Sequence, residues 1–567
     1  MRGIMLRRAL YGVLVAGLAA GLAACSGGGG QALPNQSPGT VAQRQVQGGS
    51  PARVEEPAAS AQTLAQLEAA DYANSVILIA SNYGIAPGNA ATVNDRGFAA
   101  LHTAMIASPG TIWHVIFSPG TYQYTNNRWL WSVQNIIIDA YGASFQCTTT
   151  TAYEVNEIPL YNGEMFDSAG NVPFGGEGQS YTDGYLINTA NAGAPSVTTT
   201  TAANAGNFTA GEEVIVFGYD QQGVDSYPPN VRYFDYMTVA SADASTGVIT
   251  FTSDTSLKNF YDSRWEDTAN IDSISGFNAG APRILGLNRS DWSMANFIWV
   301  RGATFLGNPT YPHSNWIDLT GQTVILDYVT APTFIVGEAN QVYIQNSTFI
   351  GTVNQPDKLV DSLTISDTTM NASASSNIGM ALTDCEGLNH LSLVRDVLNG
   401  SLSSCSPRNL SVVDTDINIA TAEDVYAAIS TTIGLVPVWS VSLGGVRVYN
   451  GNGLAYGFTN SVELAFTAGT GSGSGVIKLP YNQTDAYGIP VAYIVDYGMT
   501  LTDATSGTSG IVTSIYNSSG TLVIDGTWGT ITSGDTINFY DTYKVDNQGG
   551  NVIVGTSTPF VRGPPGD

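Results

Sequence analysis

The chain has 567 residues, of which 43% are hydrophobic and 12% charged, and it holds 63 glycines. That is enough apolar content for a core and too little charge for a typical disordered chain. The net charge of -26, from 46 acidic and 20 basic residues, leaves no basic stripe for nucleic acid. It would also repel a polyanion such as pectate unless a divalent cation intervened.

In chain order, Arg2, Arg7 and Arg8 form a basic head before an apolar run from Ala9 to Ala24. The run is short for a membrane span and has the shape of a secretory signal. It ends Leu22-Ala23-Ala24-Cys25, which resembles the lipobox of bacterial lipoproteins. The resemblance implies cleavage before Cys25, acylation of that residue and a membrane as partner. Ser26 in place of Asp implies the outer membrane, by similarity to enterobacterial sorting. Residues 1–24 are therefore expected to be a lipoprotein signal peptide. Residues 25–60, rich in Gly, Gln, Pro and Ala, are expected to be a flexible tether.

Order begins near Ala61, where Leu64 and Leu67 suggest a short amphipathic helix. Asn94-Asp95 ahead of Phe98, Leu101, Met105 and Ile106 predicts a helix with an Asn or Asp cap and one apolar face. An alternating strand from Ile112 to Phe117 then runs into a turn at Pro119-Gly120. From Asn296 to Val448 one phrase recurs about every twenty residues. It alternates apolar residues, closes on Gly, Asn or Asp, and ends Thr-rich, as at Ile298 to Thr304 and at Val324 to Thr330. A unit this short cannot bury its own apolar side, so the repeat predicts a stacked solenoid of strands.

Tyr83-Gly84, Asn94-Asp95, the helix and Phe117-Ser118-Pro119-Gly120-Thr121-Tyr122 together resemble the entry to the pectate-lyase-like superfamily. The resemblance runs with the repeats over roughly Tyr83 to Val448. It implies an all-β fold, a right-handed parallel β-helix whose N-terminal end is capped by the helix. The β-helix domain is placed at 61–450, with a small antiparallel insert at 188–252. Residues 451–567 read as a second antiparallel β module and tail covering the open end of the solenoid. Ile531 to Phe539 echoes Thr209 to Phe217.

Two stretches could carry chemistry. In Tyr311-Pro312-His313-Ser314-Asn315-Trp316-Ile317-Asp318-Leu319, inward Ile317 and Leu319 would place Trp316 and Asp318 on the outer face. A Trp there can stack on a sugar ring, and the carboxylate can bind hydroxyls or act as an acid. Tyr311 and His313 join Trp316 as candidate sugar contacts. The stretch resembles the polygalacturonase coil that carries Asn-Thr-Asp, but the position of the catalytic carboxylate is Asn315. The paired Asp residues, Gly-His-Gly and Arg-Ile-Lys of that family are absent, so its inverting pair is not carried over. The second stretch is Tyr261-Asp262-Ser263-Arg264-Trp265-Glu266-Asp267 with Arg289, Asp291 and Trp292 after it. Asp262, Glu266 and Arg264 are candidate catalytic groups there, and Trp265 and Trp292 candidate sugar contacts. The plainer reading is an ion-paired surface loop.

His102 and His114 read as structural, and no His or Cys spacing fits zinc. No cofactor is expected; calcium is left open without a loop motif to support it. Cys385 and Cys405 lie one repeat apart, with a disulfide or two stacked thiols both open. The sequence thus points to an exported, outer-membrane lipoprotein that meets polysaccharide along a β-helix groove. Cleavage as a lyase or glycoside hydrolase and a non-catalytic structural or adhesin role are both open, as is the oligomeric state.

Overall fold

In each coil of a right-handed parallel β-helix the recurring phrase forms a first-sheet strand and, at its Thr end, the start of a second-sheet strand. The computed structural model describes residues 72–554 apart from 126–129, 131, 149–156, 162–183, 219–232, 254, 265–280, 288–293, 307–315, 352, 355–359, 373–379, 384–387, 406, 420–426, 432–439, 450–453, 459–463, 481–482, 484–494, 496–498, 519–520 and 541–543. For Trp316 and Asp318 the backbone alone is described. The signal segment, Cys25, the tether and the helix expected around Leu64 and Leu67 lie outside the described residues, as do Cys385 and the Cys405 side chain. Among the described residues no helix is long and apolar enough to cross a membrane.

Three parallel sheets make the solenoid. The first runs from Val76–Ile79 through Trp113–Ile116, Asn135–Asp139 and Ala295–Arg301 to Ser440–Gly444 and Lys544–Gly549. Ile136, Ile298, Val324, Val342, Leu363, Leu391, Leu410 and Val441 stand in one register across its coils, all buried. Burying such a side chain stabilises by about 1.5–3 kcal/mol, and the stack repeats that gain once per coil. The second sheet carries Thr304, Thr330, Thr348 and Thr369 in register. Its inward row begins with Tyr122, Phe145 and Phe305, whose rings stack at 5.5 Å. The third sheet, Val353–Asn354 to Leu454–Phe458, closes the later coils.

After each first-sheet strand from Ala295–Arg301 to Ser440–Gly444 the chain turns through a left-handed residue. Gly302 (φ 70°), Tyr328 (53°), Asn346 (51°), Asp367 (50°), Arg395 (57°), Asp414 (49°) and Gly445 (67°) hold that place. Gly, Asn and Asp tolerate it, but Tyr328 and Arg395 do not favour it. The ladder imposes it, because the Tyr328 and Arg395 N–H groups donate to Gln345 O (3.2 Å) and Val413 O (2.9 Å) of the next coil. One residue further on, a buried polar ladder runs through Ser347, Thr368, Asp396 and Thr415. Each side chain accepts a backbone N–H from the coil before it: Val329, Ser347, Thr368 and Asp396 are the donors.

The capping helix spans Ala91–Ile106 and buries Phe98, Leu101 and Met105 against the first coil. Asn94 and Asp95 are not its cap. They lie inside the helix, after an N-cap at Ala90 that makes no side-chain bond. Asn94 is buried, accepts the Ala86 N–H (3.0 Å) and donates to Gln123 O (2.9 Å), while Asp95 accepts the Thr125 N–H (2.9 Å). Their polarity fastens the cap to the solenoid instead of starting a helix.

Two antiparallel modules interrupt the solenoid. The first extends beyond 252, since Arg283–Gly286 returns to pair with Glu213–Gly218 and Tyr185–Leu186. The second lies within the solenoid and not after it. Past Thr536–Tyr540 the chain re-enters with Lys544–Gly549 on Ser440–Gly444 and Val552–Ile553 on Arg447–Tyr449. This last coil is one Gly-rich rung, too short to show a period. Both modules have the same spatial order of strands, first-sixth-third-fourth-fifth-second, in the described residues. They also share a hairpin turn. Asp243-Ala244-Ser245-Thr246-Gly247 and Asp503-Ala504-Thr505-Ser506-Gly507 each bond their Asp carboxylate to the two following hydroxylated residues. That turn joins strands four and five in the first module and three and four in the second. The echoed phrase is also displaced, in the opposite sense, lying on strand three in one and strand six in the other.

Candidate functional site

Asp262 and Arg264 come together, as their spacing suggested, at the contact of the two modules. Arg264 Nε donates to Asp262 Oδ1 (3.0 Å) and Nη2 to Oδ2 (2.6 Å). Nη1 reaches Asp525 Oδ2 (2.9 Å) in the second module, and the guanidinium lies 4.1 Å from the centre of the Tyr516 ring. Ser514 Oγ donates to Asp262 Oδ2, and Tyr516 packs against the first module's core. Asp262 is fully buried. Burial pushes its carboxyl up, and the Arg264 and Ser514 bonds outweigh that and leave it below the usual range. A carboxylate so saturated has no lone pair directed at solvent, and the pair serves to join the modules. Glu266, Trp265 and Trp292 lie outside the described residues, as do Tyr311 and His313.

Ile317 and Leu319 are buried in the solenoid core, as the alternation required. In the ladder, Trp316 sits beside Glu157 and Thr333, and Asp318 beside Tyr161 and Ile335. Two aromatic and two acidic residues therefore occupy neighbouring backbone positions on the start of this long strand and on Glu157–Tyr161 beside it.

A second cluster forms where the first sheet ends, on the coils nearest the cap. Asp139, Arg301 and Asp327 are in register on three adjacent strands. At about 4.8 Å per strand their backbones place the two carboxylates' strands roughly 10 Å apart, with the Arg between. Arg301 Nη1 stands 3.8 Å from Asp139 Oδ2, and Nε 4.0 Å from Asp327 Oδ2. Its guanidinium is surrounded by aromatic rings, 4.6 Å from Trp299, 5.3 Å from Tyr72 and 5.6 Å from Tyr141. Tyr72 Oη donates to Asp139 Oδ2 (3.0 Å), and His114 Nε2 lies 3.4 Å from the same oxygen. The His114 contact lacks hydrogen-bond geometry. Asn346 Nδ2 donates to Asp327 Oδ1 (3.1 Å).

The two carboxyls are driven apart. His114, then Tyr72 and Arg301, hold Asp139 below the usual carboxylate range against the effect of burial. Burial pushes Asp327 up, opposed by Asn346 and Arg301. Opposite shifts on two carboxyls beside one group are what an acid and base pair requires. Beside them Tyr141 and Tyr328 are 44% and 54% exposed, with ring centres 6.2 Å apart. Gly302 lies between their coils. A Cβ there would fall 2.4 Å from the Tyr141 ring and 2.8 Å from its Cα, so only glycine lets the ring lie over that turn.

The residues were visible separately in the sequence, as strand-closing Asp139, Arg301 and Asp327. The overlooked signal is aromatic residues where the repeat asks for small turn formers, at Tyr141 and Tyr328. Among the described residues no group of His, Cys, Asp and Glu is arranged to hold a metal.

The class these features define is a parallel β-helix with an aromatic and carboxylate site on the outside of its first coils. No protein-family model matches the chain, and no curated protein matches it in sequence. Among solved structures, it is similar to the tailspike protein gp49 from Pseudomonas phage LKA1, with 10% identity over 82% of this chain and 100% of that one and a TM-score of 0.31. It is also similar to the Gp54 tailspike of Acinetobacter baumannii bacteriophage AP22, solved in complex with A. baumannii capsular saccharide, with 9% identity over 84% and 97% of the two chains and a TM-score of 0.27. Likeness this distant carries no argument about function, which rests on the residues.

Proposed function

We propose that the chain is an exported β-helix protein, tethered to the outer membrane through Cys25, that binds polysaccharide on the outer flank of its first coils. The carrying observation is the exposed Tyr141 and Tyr328 pair beside the Asp139, Arg301 and Asp327 row. Paired tyrosine faces offer stacking surface to the apolar faces of sugar rings. The carboxylates and guanidinium supply hydrogen bonds to hydroxyls at fixed spacing. A stack of rungs makes such a site linear, which suits a polymer. Trp316 and Asp318, with Glu157 and Tyr161 beside them in the ladder, are a second contact region in this reading.

One arrangement favours cleavage over binding alone: Asp139 and Asp327 flank Arg301 in register, and their surroundings push the two carboxyls in opposite directions. In that reading Asp327 is the proton donor and Asp139 the base, with Arg301 holding both.

Purified protein run through gels containing neutral, amino-bearing and acidic polysaccharides is expected to be retarded by at least one neutral polymer. Replacing both tyrosines, Tyr141→Ala with Tyr328→Ala, is expected to weaken that binding about tenfold or more, the loss typical of buried aromatic anchors. Equal retardation of the double variant would overturn the site, and no retardation by any polymer would overturn the function. New reducing ends or unsaturated products, lost in Asp139→Asn or Asp327→Asn, would mark the binder as an enzyme.

A further inference from the structure

Tyr72 lies across the candidate site in the manner of a bound ring. Its hydroxyl donates to Asp139, its ring centre is 4.7 Å from that of His114 and 6.0 Å from that of Trp299, and the Arg301 guanidinium is 5.3 Å from its centre. Hydroxyl to carboxylate and ring beside aromatic and cation are the contacts a sugar ring would make.

The ground beneath it is built and incompletely satisfied. Among the described residues, His114 Nε2, Trp299 Nε1 and Arg301 Nε are buried polar atoms without a hydrogen-bond partner. His114 and Trp299 are each only 3% exposed. A phenol has one hydroxyl, and Asp139 takes it. A sugar ring carries several, enough to reach further polar atoms from the same place.

The strand that follows Tyr72 lies at the edge of its sheet. That strand, Val76–Ile79, is terminal in its sheet and, among the described residues, pairs only with Trp113–Ile116. Val76, Ile77 and Ile79 are 47%, 59% and 43% exposed. An edge strand with so little cover is drawn from the low-stability end of a structure. Tyr72 itself is 38% exposed, at the surface of the site it fills.

We propose that His114, Asp139, Trp299 and Arg301 form a subsite for one uncharged sugar ring, and that the Tyr72 side chain fills this subsite until the sugar displaces it. The proposal rests on the polysaccharide reading above and adds the class of sugar. Asp139 and Arg301 offset each other within the subsite, so among the described residues no free cation is left to pair with an acidic sugar, and Asp327 stands next to it on a chain of net charge -26. A uronate would be repelled there, whereas a neutral ring offers hydroxyls to the carboxylates and apolar C–H faces to the rings. The subsite is continuous with the tyrosine pair through Arg301, which touches Tyr72 and Tyr141 alike.

The test uses the full chain and measures its affinity for dextran, galactomannan and hydroxyethylcellulose, with polygalacturonate as the acidic polymer. A plug that must leave lowers the apparent affinity by the fraction of time it is out. Tyr72→Ala is therefore expected to bind at least one neutral polymer about tenfold more tightly than the unchanged chain, with no gain for polygalacturonate. Adding Trp299→Phe to Tyr72→Ala is expected to abolish the gain. Unchanged or weaker affinity in a Tyr72→Ala protein with the unfolding midpoint of the parent would overturn the subsite. Should that variant fail to fold, Tyr72→Phe keeps the ring and removes only the bond to Asp139. It is expected to gain roughly twofold to threefold, and no gain would overturn the proposal equally. If the unchanged chain binds a neutral polymer through Tyr141 and Tyr328 but ignores Tyr72, only the subsite falls. If no protein binds any polymer, the wider reading falls with it.

Discussion

Raising the pH from about 5 to about 8 is expected to destabilise the solenoid by several kcal/mol, and Asp396→Thr is expected to remove most of that loss. Asp396 is 1% exposed in the polar ladder. Burial pushes its carboxyl up to about 7, against the N–H bonds from Thr368 and Val394, with Asp367 adding to the rise and Arg395 opposing it. An unfolded Asp titrates near 3.9. The folded group therefore binds its proton more tightly than the unfolded one. Its contribution is full below about pH 4 and is lost as pH rises through about 7, reaching a plateau beyond. A difference of about three powers of ten in proton affinity corresponds to roughly 4 kcal/mol over the whole range, of which roughly 3 kcal/mol falls between about pH 5 and about pH 8. The neighbouring rungs show what the place prefers. Ser347, Thr368 and Thr415 each donate their hydroxyl to the carbonyl two residues back, Gln345, Ser366 and Val413. Threonine at 396 would accept the Thr368 N–H and donate to Val394 O in the same way, without an ionisable group. Asp235 in the first module, raised to about 6 chiefly by burial, adds a smaller loss of the same sign in both proteins. So does the self-repulsion of an acidic chain. The comparison of urea midpoints across pH isolates Asp396, and parallel slopes for the two proteins would refute the assignment.

The solenoid was legible because each coil repeats one constraint. Alternation at Ile298 and Val300, Val324 and Leu326, or Leu363 and Ile365 needs only local residues to be seen, and all six are core. The four in-register threonines were visible for the same reason. What was not legible has long-range causes. Arg283–Gly286 pairs with a strand about seventy residues earlier, across a stretch with no period of its own. Lys544–Gly549 returns after the whole second module, and one rung cannot announce a repeat. The candidate site joins Tyr72, His114, Asp139, Arg301 and Asp327, which no sequence window contains together. Local reading instead favoured charged clusters adjacent in sequence. Asp262 and Arg264 are such a cluster, and their adjacency produced a tight ion pair that fastens two modules.

That fastening has a counterpart between the first module and the solenoid, and the second large effect is expected there. Arg408→Ala should destabilise the docking of the first module by about 2–5 kcal/mol, the range found when a large buried side chain is truncated and a cavity is left. Arg408 is 1% exposed, and its backbone belongs to the first sheet through Leu388 and Ser440. Its Nη1 donates to Asn259 Oδ1 (2.7 Å), and its guanidinium lies 4.5 Å from the centre of the Tyr233 ring. Asn259 in turn donates to Phe234 O (2.9 Å) and, through its N–H, to Asp235 (3.2 Å). Tyr261 Oη closes the network on Asp235 (2.8 Å). Lys258 and Asn389 meet on Asp361 beside it, again one group from the module and two from the coils. Truncating Arg408 would leave a cavity under Tyr233 and an acceptor on Asn259 with its donor gone. Arg408→Met should recover part of the loss, since it refills the space but not the hydrogen bond. Because the coils hold their own core, the damage should be local. Amide exchange should quicken in Glu213–Gly218 and Tyr233–Asp243 while Leu388–Val394 and Asn409–Val413 keep their protection. Uniform acceleration through the solenoid would mean that Arg408 supports the coil itself and not the docking. Unchanged exchange everywhere would mean that the module is held by its other contacts alone.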